Sequence, residues 1–78
     1  MQLLDMPDGY TMVITKHHMS DEPGAVRMEL QKNNPDGSLP GYGEVAYWHP
    51  DGTNDIMKGE KGTMGEAAQA LVDFTVKP

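Results

Sequence analysis

At 78 residues, 37% of them hydrophobic and 6% aromatic, the chain has material for one thin core and too little for a deep substrate cavity beside it. It has no cysteine, which excludes a disulfide framework and a thiolate metal centre. A net charge of -6, from twelve acids against six bases, argues against a protein that grips phosphate backbones and fits an acidic module that docks on a basic partner.

In chain order, Gln2 to Met6 is expected to form a short first strand. The start of the chain has neither the basic residues nor the long apolar run of a signal peptide, and no stretch reaches membrane-span length, so a soluble, cytoplasmic protein is expected. Pro7-Asp8-Gly9 is the first of three copies of one tripeptide, with Pro35-Asp36-Gly37 and Pro50-Asp51-Gly52 following. Proline presets φ, aspartate bonds nearby backbone and glycine accepts the left-handed conformation, so each copy predicts a tight reversal in an antiparallel sheet. Gly9 to His18 places Tyr10, Met12 and Ile14 on one face, with Thr11, Val13, Thr15 and His17 on the other, as a strand does. Met19 to Gly24 is a loop.

Ala25 to Lys32 gives the cleanest alternation, with Val26, Met28 and Leu30 opposed to Arg27, Glu29 and Gln31; it predicts a strand with one wet side. Ser38 to Gly43 delays the next strand by a wide loop or a bulge. Glu44 to His49 follows as a strand, and Asp55-Ile56-Met57 as a short last one. Thr63-x-x-Glu66 has the form of a capping box, and Met64, Ala67, Ala68, Leu71 and Phe74 share a helical face after it. The expected architecture is α+β in a single domain over 1–78. It is an antiparallel meander of four to five strands with one C-terminal α-helix packed across one face.

Catalytic chemistry finds little to work with. Ser20 and Ser38 sit in loops without a histidine pattern, and the carboxylates Asp21 and Glu22 lie in an open loop, where nothing would raise one pKa. His17 and His18, with His49 as a distant third, are the only group suited to a metal, but adjacent residues on a strand point to opposite faces, so His17 and His18 do not easily share one ion. Gly59-Glu60-Lys61-Gly62-Thr63 opens a helix, but its order is not that of a phosphate loop, and Glu66 would fill the anion position. Gly41-Tyr42-Gly43-Glu44-Val45-Ala46 leads into a strand where a dinucleotide fingerprint leads into a helix. No enzyme activity, metal or cofactor is expected.

The contact candidates are the aromatic group Tyr42, Tyr47 and Trp48, since tyrosine and tryptophan dominate interface hot spots. If Val45 and Tyr47 face the helix, Trp48 points outward as an anchor; a one-residue shift exchanges the two faces, and the sequence permits both. Asp8, Asp36 and Asp51 belong to turns and Glu66 to a cap, which leaves Asp21, Glu22, Glu29, Glu44 and Asp55 as acids for binding. The expected function is a non-enzymatic binding module, an inhibitor or accessory protein, that covers a basic protein or protein–nucleic-acid complex without binding nucleic acid or membrane itself. In size, charge and lack of catalytic residues it resembles small phage-encoded inhibitors of host defence, anti-CRISPR proteins among them, a likeness of type carried by no motif. The alternatives are a self-assembling homodimeric accessory subunit, or a small-ligand or metal-binding protein using the histidines or the helix start.

Overall fold

A computed structural model describes residues 4–76. Strands β1 (Tyr10–Lys16), β2 (Val26–Lys32) and β3 (Glu44–Trp48) form one antiparallel sheet in the order β1-β2-β3, and helix α1 (Met64–Thr75) follows. The α+β class, the meander order and the C-terminal helix agree with the sequence. The strand number does not: the sheet has three strands, not four to five.

Both missing strands have a physical reason. Gln2 and Leu3 lie outside the described residues, and Leu4 to Met6 do not join the sheet. Instead Asp5 N–H donates to Gln69 Oε1 at 2.7 Å, while Leu4 and Met6 pack on the core. At Asp55-Ile56-Met57 the Asn54 side chain intervenes. Its Oδ1 accepts from Ile56 N–H at 3.1 Å and from Met57 N–H at 2.7 Å, an Asx-type turn that competes with a ladder. Only the isolated bridge Trp48↔Asn54 remains of the expected strand, and Ile56 and Met57 still reach the core.

Register fixes the two faces. Met28 pairs with Ile14 and Ala46, Leu30 with Met12 and Glu44, and Val26 with Lys16 and Trp48; directly paired residues share a face. That face meets α1, which crosses β2 and β3 and does not approach β1. Ala67, Ala68, Leu71 and Val72 of the helix close over Met28, Leu30 and Ala46 to form the core. The alanines bring the helix close, and each fully buried large side chain (Met28, Leu30, Leu71) contributes roughly 1.5–3 kcal/mol of transfer free energy. The helix begins on the expected capping box. Glu66 N–H donates to Thr63 Oγ1 at 3.1 Å, and Thr63 N–H to Glu66 Oε1 at 2.9 Å. Its apolar stripe is rotated from the expected one, because Phe74 is 59% exposed and Val72 takes its place in the core.

None of the three Pro-Asp-Gly turns directly joins two paired strands; the hairpin between β1 and β2 is the 17–25 loop. Two of the turns are nevertheless built alike. Gly37 N–H donates to the Asn34 carbonyl and Gly52 N–H to the His49 carbonyl, each at 2.8 Å, and both glycines have positive φ (88° and 95°). Each aspartate then accepts from the hydroxyl that follows the glycine: Ser38 Oγ donates to Asp36 Oδ1 and Thr53 Oγ1 to Asp51 Oδ1, both at 2.6 Å. These donors hold the Asp36 and Asp51 carboxyls below the usual carboxylate range. Pro7-Asp8-Gly9 is followed by Tyr10 and has no such hydroxyl.

Candidate functional site

The face of the sheet turned away from α1 is an array of rows across the three strands. Thr11 and Gln31, then Val13, Glu29 and Val45, then Thr15, Arg27 and Tyr47 lie side by side. One step further, His17 N–H donates to the Ala25 carbonyl at 3.0 Å, and continuation of the β2–β3 register sets His49 beside Ala25. Ala25 is only 2% exposed, and the small side chain in the middle of the row lets the rings on either side lean together. The His17 and His49 ring centroids are 5.9 Å apart, and His17 stacks on Tyr47 at 4.2 Å with planes 28° apart.

The central strand carries the polar order of this face. Glu29 accepts from Gln31 Nε2 at 2.8 Å and from Arg27 Nη2 at 3.3 Å, and Gln31 Oε1 accepts from Gly41 N–H at 3.1 Å. Glu29 and Gln31 are 7% and 5% exposed although no helix or strand covers them. Hydrogen bonding to Glu29, with a smaller contribution from Tyr47, raises the Arg27 pKa above its already high ordinary value. Gly43 makes this packing feasible: a Cβ there would fall on the Leu30 carbonyl oxygen, so only glycine lets the chain pass into β3.

The structure sorts the residues singled out from the sequence into three groups. Tyr47, Glu22 and Asp55 meet at one end of the outer face. Glu22 Oε2 lies 3.0 Å from His49 Nδ1, and Asp55 Oδ1 accepts from Tyr47 N–H at 2.8 Å. A recess of about 350 Å³ opens there between His17, Tyr47, His49 and Asp55, and Asp21 stands exposed beside Glu22 in the preceding loop. Tyr42 and Glu44 belong to the opposite end of β3, where they line a groove of about 490 Å³ with Tyr10, Lys32, Pro40 and Thr75; Tyr42 is 74% exposed. Trp48 and Glu29 are used by the fold itself. Trp48 lies on the helix side of the sheet against the core, with Nε1–H donating to the Gly62 carbonyl at 2.9 Å. Of the two faces open to β3 the structure therefore puts Tyr47 outside and Trp48 inside, because the indole both fills the core edge and finds an acceptor there.

The histidine cluster is what sequence reasoning missed. His18 is exposed in the turn that follows β1, but His49 comes close to His17 through the row over Ala25. A buried alanine between two histidines, once the register was known, is the signal that could have found it. Among the described residues no three histidine or acidic side chains converge in a metal-holding geometry. Both loop serines are engaged locally, Ser20 Oγ accepting from Glu22 N–H at 3.1 Å and Ser38 Oγ bonding Asp36. Thr63 and Glu66 satisfy the helix start between them, and among the described residues no helix is long and apolar enough to cross a membrane. No family model, curated protein or solved structure matches the chain.

Proposed function

We propose that this chain is a non-enzymatic acidic binding module, an inhibitor or accessory protein that covers a basic surface of a larger protein or nucleic-acid-processing complex. The observation that carries this reading is the distribution of charge. Of the twelve acids, Glu29 alone is buried, and it is also the one paired with Arg27; the others are exposed. Such a surface steers a basic partner into encounter. Asp55 lines the outer-face recess where Tyr47 offers a flat aromatic surface, and Glu22 meets its rim through His49 with Asp21 exposed beside it. Tyr42 with Glu44 forms a second contact at the far end of β3. The hydrogen-bonded polar rib of Arg27, Glu29 and Gln31 holds the outer face in order beside the recess, whereas the Tyr42 and Glu44 groove opens on the helix side of the sheet.

The test is affinity capture from host lysate at low and high salt, followed by titration of the purified partner against the wild-type chain and two variants. One variant combines Asp21→Asn, Glu22→Gln and Asp55→Asn, and the other is Tyr47→Ala. A basic partner released by salt, and weakened at least ten-fold by each variant, is the expected result. Binding indifferent to salt and to both variants would remove the reading.

A further inference from the structure

The two edges of the sheet are finished differently. On the β3 side, Asp55 N–H donates to the Tyr47 carbonyl at 3.4 Å and His49 N–H to the Thr53 carbonyl at 2.8 Å, while Asp55 Oδ1 takes the Tyr47 N–H. On the β1 side, the bonds that bracket the strand are Asn33 N–H to the Gly9 carbonyl at 2.8 Å and His17 N–H to the Ala25 carbonyl at 3.0 Å. Hydrogen-bonding direction alternates along a strand, so Thr11, Val13 and Thr15 face β2, and the N–H and C=O groups of Tyr10, Met12, Ile14 and Lys16 face outward. Among the described residues these outward groups have no backbone or side-chain partner, and β2 is the only strand or helix in contact with β1. Natural sheets guard such an edge with proline, a bulge or inward-pointing charge. β1 reads Tyr-Thr-Met-Val-Ile-Thr-Lys over 7 residues and has none of these before Lys16. Ile14 is 46% exposed on the helix side, because α1 does not extend over β1.

We propose that β1 is a dimerisation edge, pairing antiparallel with β1 of a second copy about a two-fold axis at Val13. Side-chain and charge complementarity select this occupant and this register. Tyr10 then faces Lys16 of the second copy, Thr11 faces Thr15, Met12 faces Ile14 and Val13 faces its own counterpart, so every residue of the strand is paired. Met12 and Ile14 cover each other on the helix side, where each copy leaves Ile14 bare, and the threonines pair on the outer side. The only charge of the strand, Lys16, lies diagonal to Asp8 of the second copy, and no acid opposes an acid. An axis at Met12 or Ile14 keeps the hydrogen-bonding parity but leaves two residues of each strand outside the ladder. The pairing closes after two copies and joins both outer faces into one continuous surface, so the dimer presents the acidic contact face twice. It does not rest on the partner-binding reading.

Sedimentation equilibrium at tens of micromolar, in low and high salt, tests the proposal together with cysteine variants of a chain that has no cysteine of its own. The expected mass is twice that of the chain. It persists in the high salt that releases a basic partner, so failure of one reading is distinguishable from failure of the other. Val13 and its counterpart form a non-hydrogen-bonded pair with Cα atoms about 4.5 Å apart, within disulfide reach. Val13→Cys therefore oxidises to a covalent dimer, Thr11→Cys alone does not, and Thr11→Cys with Thr15→Cys does. Ile14→Pro removes an outward N–H that the monomer does not use and weakens the dimer at least ten-fold with unchanged circular dichroism. A monomer mass at every concentration overturns the proposal, as does cross-linking of Thr11→Cys as readily as Val13→Cys.

Discussion

Met28 and Glu29 are neighbours in one central strand, 0% and 7% exposed, and they are buried by different means. Met28 lies under α1, against Ala46 and Leu71 in the core. No element lies over Glu29. Its shelter is lateral, from Val13 and Val45 on either side, and its carboxylate is satisfied by Arg27 and Gln31 along its own strand. On one side of the sheet apolar surface leaves water and supplies the stability. On the other, hydrogen bonds hold a polar surface in fixed order while leaving its rim open to contact.

The contrast has measurable consequences. Met28→Ala opens a cavity under the helix and is expected to cost about 2–5 kcal/mol in urea denaturation, enough to unfold much of a domain this small. Glu29→Ala leaves Gln31 Nε2 and the Arg27 guanidinium without their acceptor and is expected to cost about 1–3 kcal/mol; Glu29→Gln keeps an acceptor oxygen and loses less. Equal costs for Met28→Ala and Glu29→Ala would mean that the two faces stabilise alike. Tyr47→Ala removes the stack on His17 and should cost about 1 kcal/mol, less than either, while weakening binding of the proposed partner at least ten-fold.

The smallest effect lies in the turns. Asp36 and Asp51 are held below their ordinary pKa by the hydroxyl and N–H donors of Ser38 and Thr53. A folded-state pKa below the unfolded one adds stability above the unfolded value, and that stability is lost as pH falls through the folded value. Replacing both with asparagine should flatten the acid limb of the stability curve below about pH 4, because it removes this small contribution at neutral pH and leaves stability at pH 2 nearly unchanged. Thermal melts across pH 2–7 would check both halves of that expectation.

The central strand was readable from sequence because its alternation is strict: Val26, Met28 and Leu30 against Arg27, Glu29 and Gln31 differ in polarity at every step. The capping box was readable because it is local. β3 was not, since Val45 with Tyr47 and Ala46 with Trp48 are comparably apolar, and the choice between them depended on an acceptor at Gly62, far along the chain. The expected strand at Asp55-Ile56-Met57 gave way to one side chain, that of Asn54, whose double acceptance no periodicity reveals. The histidine row depended on register between three separate strands and so lay beyond any local signal.

One contact also makes the molecule its own instrument. Trp48 is the single tryptophan of the chain, and its indole N–H is held by the carbonyl of Gly62, the residue before the helix cap. Its emission therefore reports the seating of the whole segment between β3 and α1, without any added label. If that segment lifts before the sheet melts, the fluorescence transition will precede the one seen by circular dichroism. Coincidence of the two would show that sheet, connection and helix unfold as one cooperative unit.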